Sequence, residues 1–268
     1  MKLLYAGVFT IFSTSFLFAH DFFLYPSNFR AKPKEKIKIS IHVDDVFPGK
    51  AVKWNSARVL RFEHRCGSPM TDLRMKAAEA DSSGVLVPAV ESGMNLFALD
   101  WAARLIELKP DQFSHYLASE GLDHVLRMRK EHGEENKNGR ERYSRFVKTF
   151  IDAGQGNTES LNKVVGQKIE LVPLDDPYSA KVGDSVRVQL LFRGKPLPNA
   201  LISSTYAGAT DKPDTYAQSG RTDQQGIVNV KLTHAGPWLV RTVHMLPVEN
   251  DKDADWESWW ASITFEVR

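Results

Sequence analysis

Short runs in which hydrophobic and polar residues alternate dominate the pattern of this chain. Ile37, Ile39, Ile41 and Val43 fall on one side of such a run, and Lys36, Lys38, Ser40 and His42 on the other. A period of two with branched side chains predicts a half-buried strand. His20 to Tyr25 is a shorter aromatic candidate, stopped by Pro26. Arg58 to His64, Val85 to Val87 and Asn95 to Asp100 continue the series, separated by turns at Phe47-Pro48-Gly49, Gly84 and Gly93. Further along, Val186, Val188, Leu190 and Phe192 alternate, and Ala200 to Tyr206, Ile227 to Leu232 and Trp238 to Met245 follow. Ile263, Phe265 and Val267 close the chain.

Between these strands the period changes. Phe113, Tyr116, Leu117, Leu122, Val125 and Leu126 recur at helical spacing, with Asp111 placed to cap the start and Gly121 placed to split the helix. The charged stretch from Lys130 to Arg142 reads as a solvated loop. Tyr143, Phe146, Val147, Phe150 and Ile151 predict a second helix, ended by Gly154-Gln155-Gly156-Asn157. The expected architecture is therefore mainly β, in two sandwich-like parts. Residues 20–174 form a β-domain with an α-helical hairpin inserted at about 111–153, and residues 175–268 form a second β-sandwich.

The first residues change the picture from fold to location. Lys2 is followed by an apolar run from Leu3 to Phe18 and by Ala19, the order of a cleaved secretory signal. The run is short for a membrane span of about 20 residues. Cleavage after residue 19 is expected, which would make the protein periplasmic, with a mature chain that starts at His20 and no membrane span. The whole sequence has a net charge of +2, too balanced for a nucleic-acid binder or a polybasic membrane patch. Cys66 is the single cysteine, so no intrachain disulfide can form and the fold rests on its core.

Two sets of stretches carry a family resemblance. Val182-Gly183-Asp184, Gly194-Lys195-Pro196-Leu197-Pro198-Asn199-Ala200 and Thr222-Asp223-Gln224-Gln225-Gly226 resemble the prealbumin-like or Cna-B-like modules of exported proteins. His20-Asp21-Phe22-Phe23-Leu24, Tyr143-Ser144-Arg145-Phe146-Val147-Lys148, Trp238 to Met245, Asp255-Trp256-Glu257-Ser258 and Trp260 to Phe265 resemble an exported bacterial family of unknown function associated with nickel or cobalt uptake. The resemblance implies immunoglobulin- or prealbumin-like sandwiches. It also implies a periplasmic protein that binds nickel or cobalt and serves a membrane-embedded transporter component.

The residues offer one route to that chemistry. After cleavage, His20 carries both an α-amine and an imidazole, which can chelate one ion. Imidazole suits nickel, cobalt, copper and zinc alike. His42 would meet His20 if the first two strands pair, and His244 is the third candidate ligand. Asp21, Asp44 and Asp45 could add oxygen ligands. His64, His115, His124, His132 and His234 lack ligand spacing, and Glu120 with His124 reads as a surface pair. No phosphate-binding loop, nucleophile elbow or H-E-x-x-H helix is present, so no catalytic residue is assigned and the expectation is a binding protein, not an enzyme. Two alternatives differ in kind: a copper enzyme built on a histidine brace, and a metal-free interaction module. Trp256, Trp259 and Trp260 are expected to cover the core.

Overall fold

The structure, a computed structural model, describes residues 20–67, 69–81, 84–87 and 90–268. The signal segment expected at residues 1–19 lies outside the described residues. In chain order the first elements are β1 (Asp21–Pro26), β2 (Lys38–Asp44), β3 (Ala51–Val52), β4 (Val59–Arg65), β5 (Met70–Asp72), α1 (Arg74–Ala78), β6 (Val85–Leu86) and β7 (Met94–Leu108). Then come α2 (Pro110–Ser119), α3 (Asp123–Glu131), β8 (Gly139–Asp152), β9 (Ile169–Pro173), β10 (Ser185–Phe192) and β11 (Lys195–Pro196). The last are β12 (Leu201–Tyr206), β13 (Gln218–Arg221), β14 (Ile227–Lys231), β15 (Gly236–Pro247) and β16 (Trp256–Val267).

The protein is mainly β, with its sheets stacked in sandwich-like layers. A long sheet runs in the order β13-β12-β15-β16-β8-β7-β4-β5. It is antiparallel except where β16 lies parallel to β8. That one pairing joins strands from either side of residue 175 into a continuous sheet. One four-stranded sheet holds β1, β2, β3 and β6, and another holds β9, β10, β11 and β14.

The small sheets cover opposite faces of the long one. Along β7, Met94, Leu96 and Ala98 enter one core, and Phe97, Leu99 and Trp101 enter the other. Along β8, Phe146 and Phe150 face the β9–β10–β14 side, whereas Val147 and Ile151 face Ile37, Ile39 and Ile41 beneath the β1–β2 sheet. A strand covered on both faces shows apolar residues in adjacent doublets, which periodicity alone cannot separate from a buried helix.

This explains the main correction. The second helix expected over Tyr143 to Ile151 is the strand β8. The helices of the insert are α2 and α3, which divide the expected first helix at Gly121, whose φ is +64°; α3 runs on to Glu131 and β8 starts at Gly139, so both ends of the Lys130 to Arg142 stretch expected as a loop are ordered elements. α2 also starts earlier than the expected Asp111 cap. Pro110 occupies its first turn, where a missing N–H costs nothing, and the Lys109 N–H donates to Gln112 at 3.3 Å. Helices α2 and α3 pack on Val243, Met245, Trp256 and Trp260, beside the β1–β2–β3 sheet on the same face. Gly139 makes this possible: a Cβ there would stand 2.2 Å from the Phe113 ring of α2.

Candidate functional site

Where α2 and the β1–β2–β3 sheet stand side by side on the long sheet, they leave a cleft of about 400 Å³. Its floor is the start of β8, where Glu141, Tyr143 and Arg145 alternate onto one face. Its walls include Phe22 of β1, Val52 of β3, Trp101 and Arg104 of β7, and Trp260 of β16. His20 lies at its edge.

A bulge decides which residues of β7 reach it. Trp101 pairs with Arg145, yet Arg104 pairs with Tyr143, so β7 carries one extra residue here. Strict alternation from Trp101 would turn Arg104 away. The surplus residue restores the phase, and Arg104, Ile106 and Leu108 line the cleft with Trp101. The Arg58 guanidinium donates to the Ala102 carbonyl at 2.5 Å, at the bulge, and lies over the Trp101 ring.

The floor is held by buried polar groups. Glu141 accepts from the Ser258 hydroxyl and from Tyr116 at 3.2 Å, and Trp260 donates to Ser258 at 3.1 Å. Burial pushes the Glu141 carboxyl up to about 7. Behind it, Arg241 is clamped between Asp21 at 2.7 Å and Glu120, whose second oxygen lies at 3.0 Å. Burial opposes the Arg241 charge, and the carboxylates of Asp21 and Glu120 outweigh it and hold the guanidinium protonated. Tyr216 donates to Asp21 at 3.1 Å and lies under Arg241. Glu120, expected as a surface partner of His124, is instead turned inward.

The three candidate histidines do not converge. The β1–β2 register runs from Asp21 opposite Asp44 to Pro26 opposite Ile39. One step further brings His20 to Asp45, and the His20 Nδ1 does meet an Asp45 carboxylate oxygen. His42 pairs with Phe23, on the other face of the same ladder. Its Nδ1 bonds the Pro48 carbonyl at 2.6 Å and its Nε2 the Ser40 hydroxyl at 2.9 Å, while the ring stacks on Tyr25. Strand pairing, on which a meeting of His20 with His42 depended, therefore separates them by parity. His244 faces Phe192 and Trp259 and stacks beside His124 with ring centres 5.7 Å apart. Burial, then the charges of His124 and Arg193, lower it to about 4.

Among the described residues no group of three or more His, Cys, Asp and Glu side chains is arranged to hold a metal ion. Around His20 the carboxylates are nonetheless dense. Burial raises Asp214, and the charges of Asp45 and Asp21 raise it further. Asp44 accepts from the backbone N–H groups of Asp45 and Val46 and serves the turn. Cys66 is buried, with its thiol against the Ser92 carbonyl and its pKa raised by burial. Trp256, Trp259 and Trp260 are all buried, and Trp260 also forms part of the cleft wall.

Residues 17–246 match a family described as domain of unknown function (DUF4198). The chain belongs to this family. No curated protein matches its sequence. Among solved structures, the D0-D1 domain of intimin is similar at 12% identity and a TM-score of 0.20, over 90% of this chain and 96% of that one. A Parabacteroides merdae beta-glucuronidase is similar at 12% identity and a TM-score of 0.21, over 92% of this chain and 24% of that one. Within this DUF4198 chain, His20, Phe22, Tyr143, Arg145 and Trp260, from the stretches that carry the family resemblance, line the cleft, and Asp21 belongs to its buried support.

Glu141, Tyr143, Arg145, Arg58 and Arg104 are not among the site residues expected from the sequence. The first three share one face only if their stretch is read as a strand. Arg104 joins them only through a bulge that no local pattern announces.

Proposed function

We propose that the processed chain, starting at His20, captures a divalent transition-metal ion in the periplasm and passes it to a membrane-embedded uptake component. Nickel or cobalt is the preferred cargo by family resemblance, and imidazole chemistry also admits copper and zinc. The observation that carries this reading is the Asp45 carboxylate seated against the His20 Nδ1. A free His20 amine and Nδ1 would close a six-membered chelate around an ion, and Asp45 would supply a carboxylate oxygen. Such a set contains only two side chains, because its third donor is the backbone amine. Asp21 and Asp214 add negative potential nearby that favours a cation. His42 and His244 have no part in it. A metal held this way by nitrogen and oxygen exchanges without covalent chemistry, as a carrier requires.

The test is calorimetric titration of the chain from His20 onward with Ni²⁺, Co²⁺, Cu²⁺ and Zn²⁺. At least one ion should bind more tightly than about 1 mM, and an added residue before His20 or Asp45→Asn should weaken binding by about tenfold or more. Absence of any such binding rejects metal capture. Binding indifferent to the added residue removes the His20 amine from the site.

A further inference from the structure

The cleft beside His20 presents a concentration of positive charge that no ion pair among the described residues neutralises. Lys53, Arg58, Arg104 and Arg145 line it, and among the described residues none of the four has a carboxylate within ion-pair distance. Several arginines elsewhere do have such partners: Arg30 pairs with Asp152, Arg61 with Asp100, Arg140 with Asp255, Arg142 with Asp251 and Arg241 with Asp21. The carboxyl of Glu141 is the acidic group in the lining, and it is occupied by Ser258 and Tyr116 and raised to about 7 by burial.

The geometry of the arginines is that of a prepared receptor. The Arg145 guanidinium lies 4.8 Å from the Phe22 ring centre and 5.2 Å from that of Tyr143. Among the described residues its Nε is buried without a hydrogen-bond partner, and the guanidinium makes one long hydrogen bond, to the His20 carbonyl at 3.4 Å. Arg58 is held on Trp101 at 5.3 Å. The ring contacts position both guanidinium groups, and the N–H groups of Arg145 and those of Arg58 not donated to Ala102 are available to bind a planar oxyanion. Burial lowers both groups, Arg145 to about 10; Arg104 further lowers Arg58, and Arg58 further lowers Arg145 against the opposing pull of Tyr143, Asp21 and Glu141. Half-buried cations that repel one another are costly unless something negative joins them. Trp101, Trp260 and Ile106 add flat and apolar wall to this charge, and the volume of about 400 Å³ is in the range of small-molecule sites.

We propose that this cleft binds a small organic carboxylate with a planar, apolar body, its carboxylate held by Arg145 with Arg58 and Arg104 and its body against Trp101 and Trp260. Such a site does not depend on metal capture at His20.

Calorimetry on chelator-treated chain from His20 onward, with phthalate as probe, tests this without any metal. Benzamide, flat but neutral, and inorganic phosphate, charged but without a body, are the controls. Phthalate should bind saturably, tighter than about 1 mM, and both controls at least about tenfold more weakly. Arg145→Gln should weaken phthalate by about tenfold or more, and Arg104→Gln, at an exposed position that the core does not need, should weaken it severalfold while leaving the circular dichroism spectrum unchanged. No saturable phthalate binding overturns the proposal. So does benzamide or phosphate binding as tightly as phthalate, or an affinity untouched in both variants.

Discussion

Glu141 shows how one residue can carry the chemistry of a region. It stands on the floor of the cleft with its carboxyl raised from 4.5 to about 7. A raised carboxyl opposes folding once it ionises, so its favourable contribution is complete below 4.5 and is lost as pH climbs through 7. Glutamine keeps the shape and never ionises. Glu141→Gln should therefore gain about 3 kcal/mol on the wild type between these limits, read as the difference between their denaturant-unfolding curves across pH. Equal pH slopes for the two proteins would mean that Glu141 stays ionised in the fold. His244 carries the opposite sign: with its imidazole lowered to about 4, its share of stability is present above 6.5 and lost as pH falls through 4. The same burial that makes His244 acid-sensitive makes it a poor guide to a metal site. Histidine as a residue type was visible in the sequence, whereas its surroundings were not.

At the scale of elements, the strands with one solvent face were readable and those buried on both faces were not. β2 shows its alternation openly, with Ile39 and Ile41 inward, and it folds as a strand as expected. β8 serves two cores, and its doublets Phe146-Val147 and Phe150-Ile151 mimic a helix. The cost of that ambiguity was the site itself, since Glu141, Tyr143 and Arg145 meet on one face only in a strand. Parity likewise settles the fate of the histidines: pairing of β1 with β2 brings Asp45 to His20 and sends His42 to the other face. The seating of α2 hangs on Gly139, where any side chain would strike Phe113. Gly139→Ala should destabilise the protein by about 1–3 kcal/mol through overpacking. It should also pull Tyr116 away from Glu141 and change near-ultraviolet circular dichroism more than far-ultraviolet. A variant with wild-type stability would show that α2 can shift freely.

For the whole molecule, the parallel pairing of β16 with β8 is the joint that matters. It places nine residue pairs, from Trp256 with Glu141 to Thr264 with Thr149, between strands on either side of residue 175. Ser262 and Thr264 then bond the backbone of Phe22 and Leu24, which ties the last strand to the first. Thermal unfolding of the chain from His20 onward should accordingly be one transition, coincident by circular dichroism and tryptophan fluorescence. Two separated transitions would show that the sheet's halves hold independently. Local turn and strand signals showed the fold class but not this joint, because a parallel contact over more than a hundred residues leaves no short-range mark.

The bulge in β7 has a consequence for variation. It adds one residue of backbone between Trp101 and Arg104 without adding a side chain to the cleft. Removing Ala103 would leave the alternation of Trp101, Arg104, Ile106 and Leu108 intact and merely straighten the strand beneath them. The mouth of the cleft would then change width while every residue lining it stayed the same. A relative differing by a single-residue gap at this point could thus accept a ligand of another size, and a comparison of lining residues alone would declare the two identical.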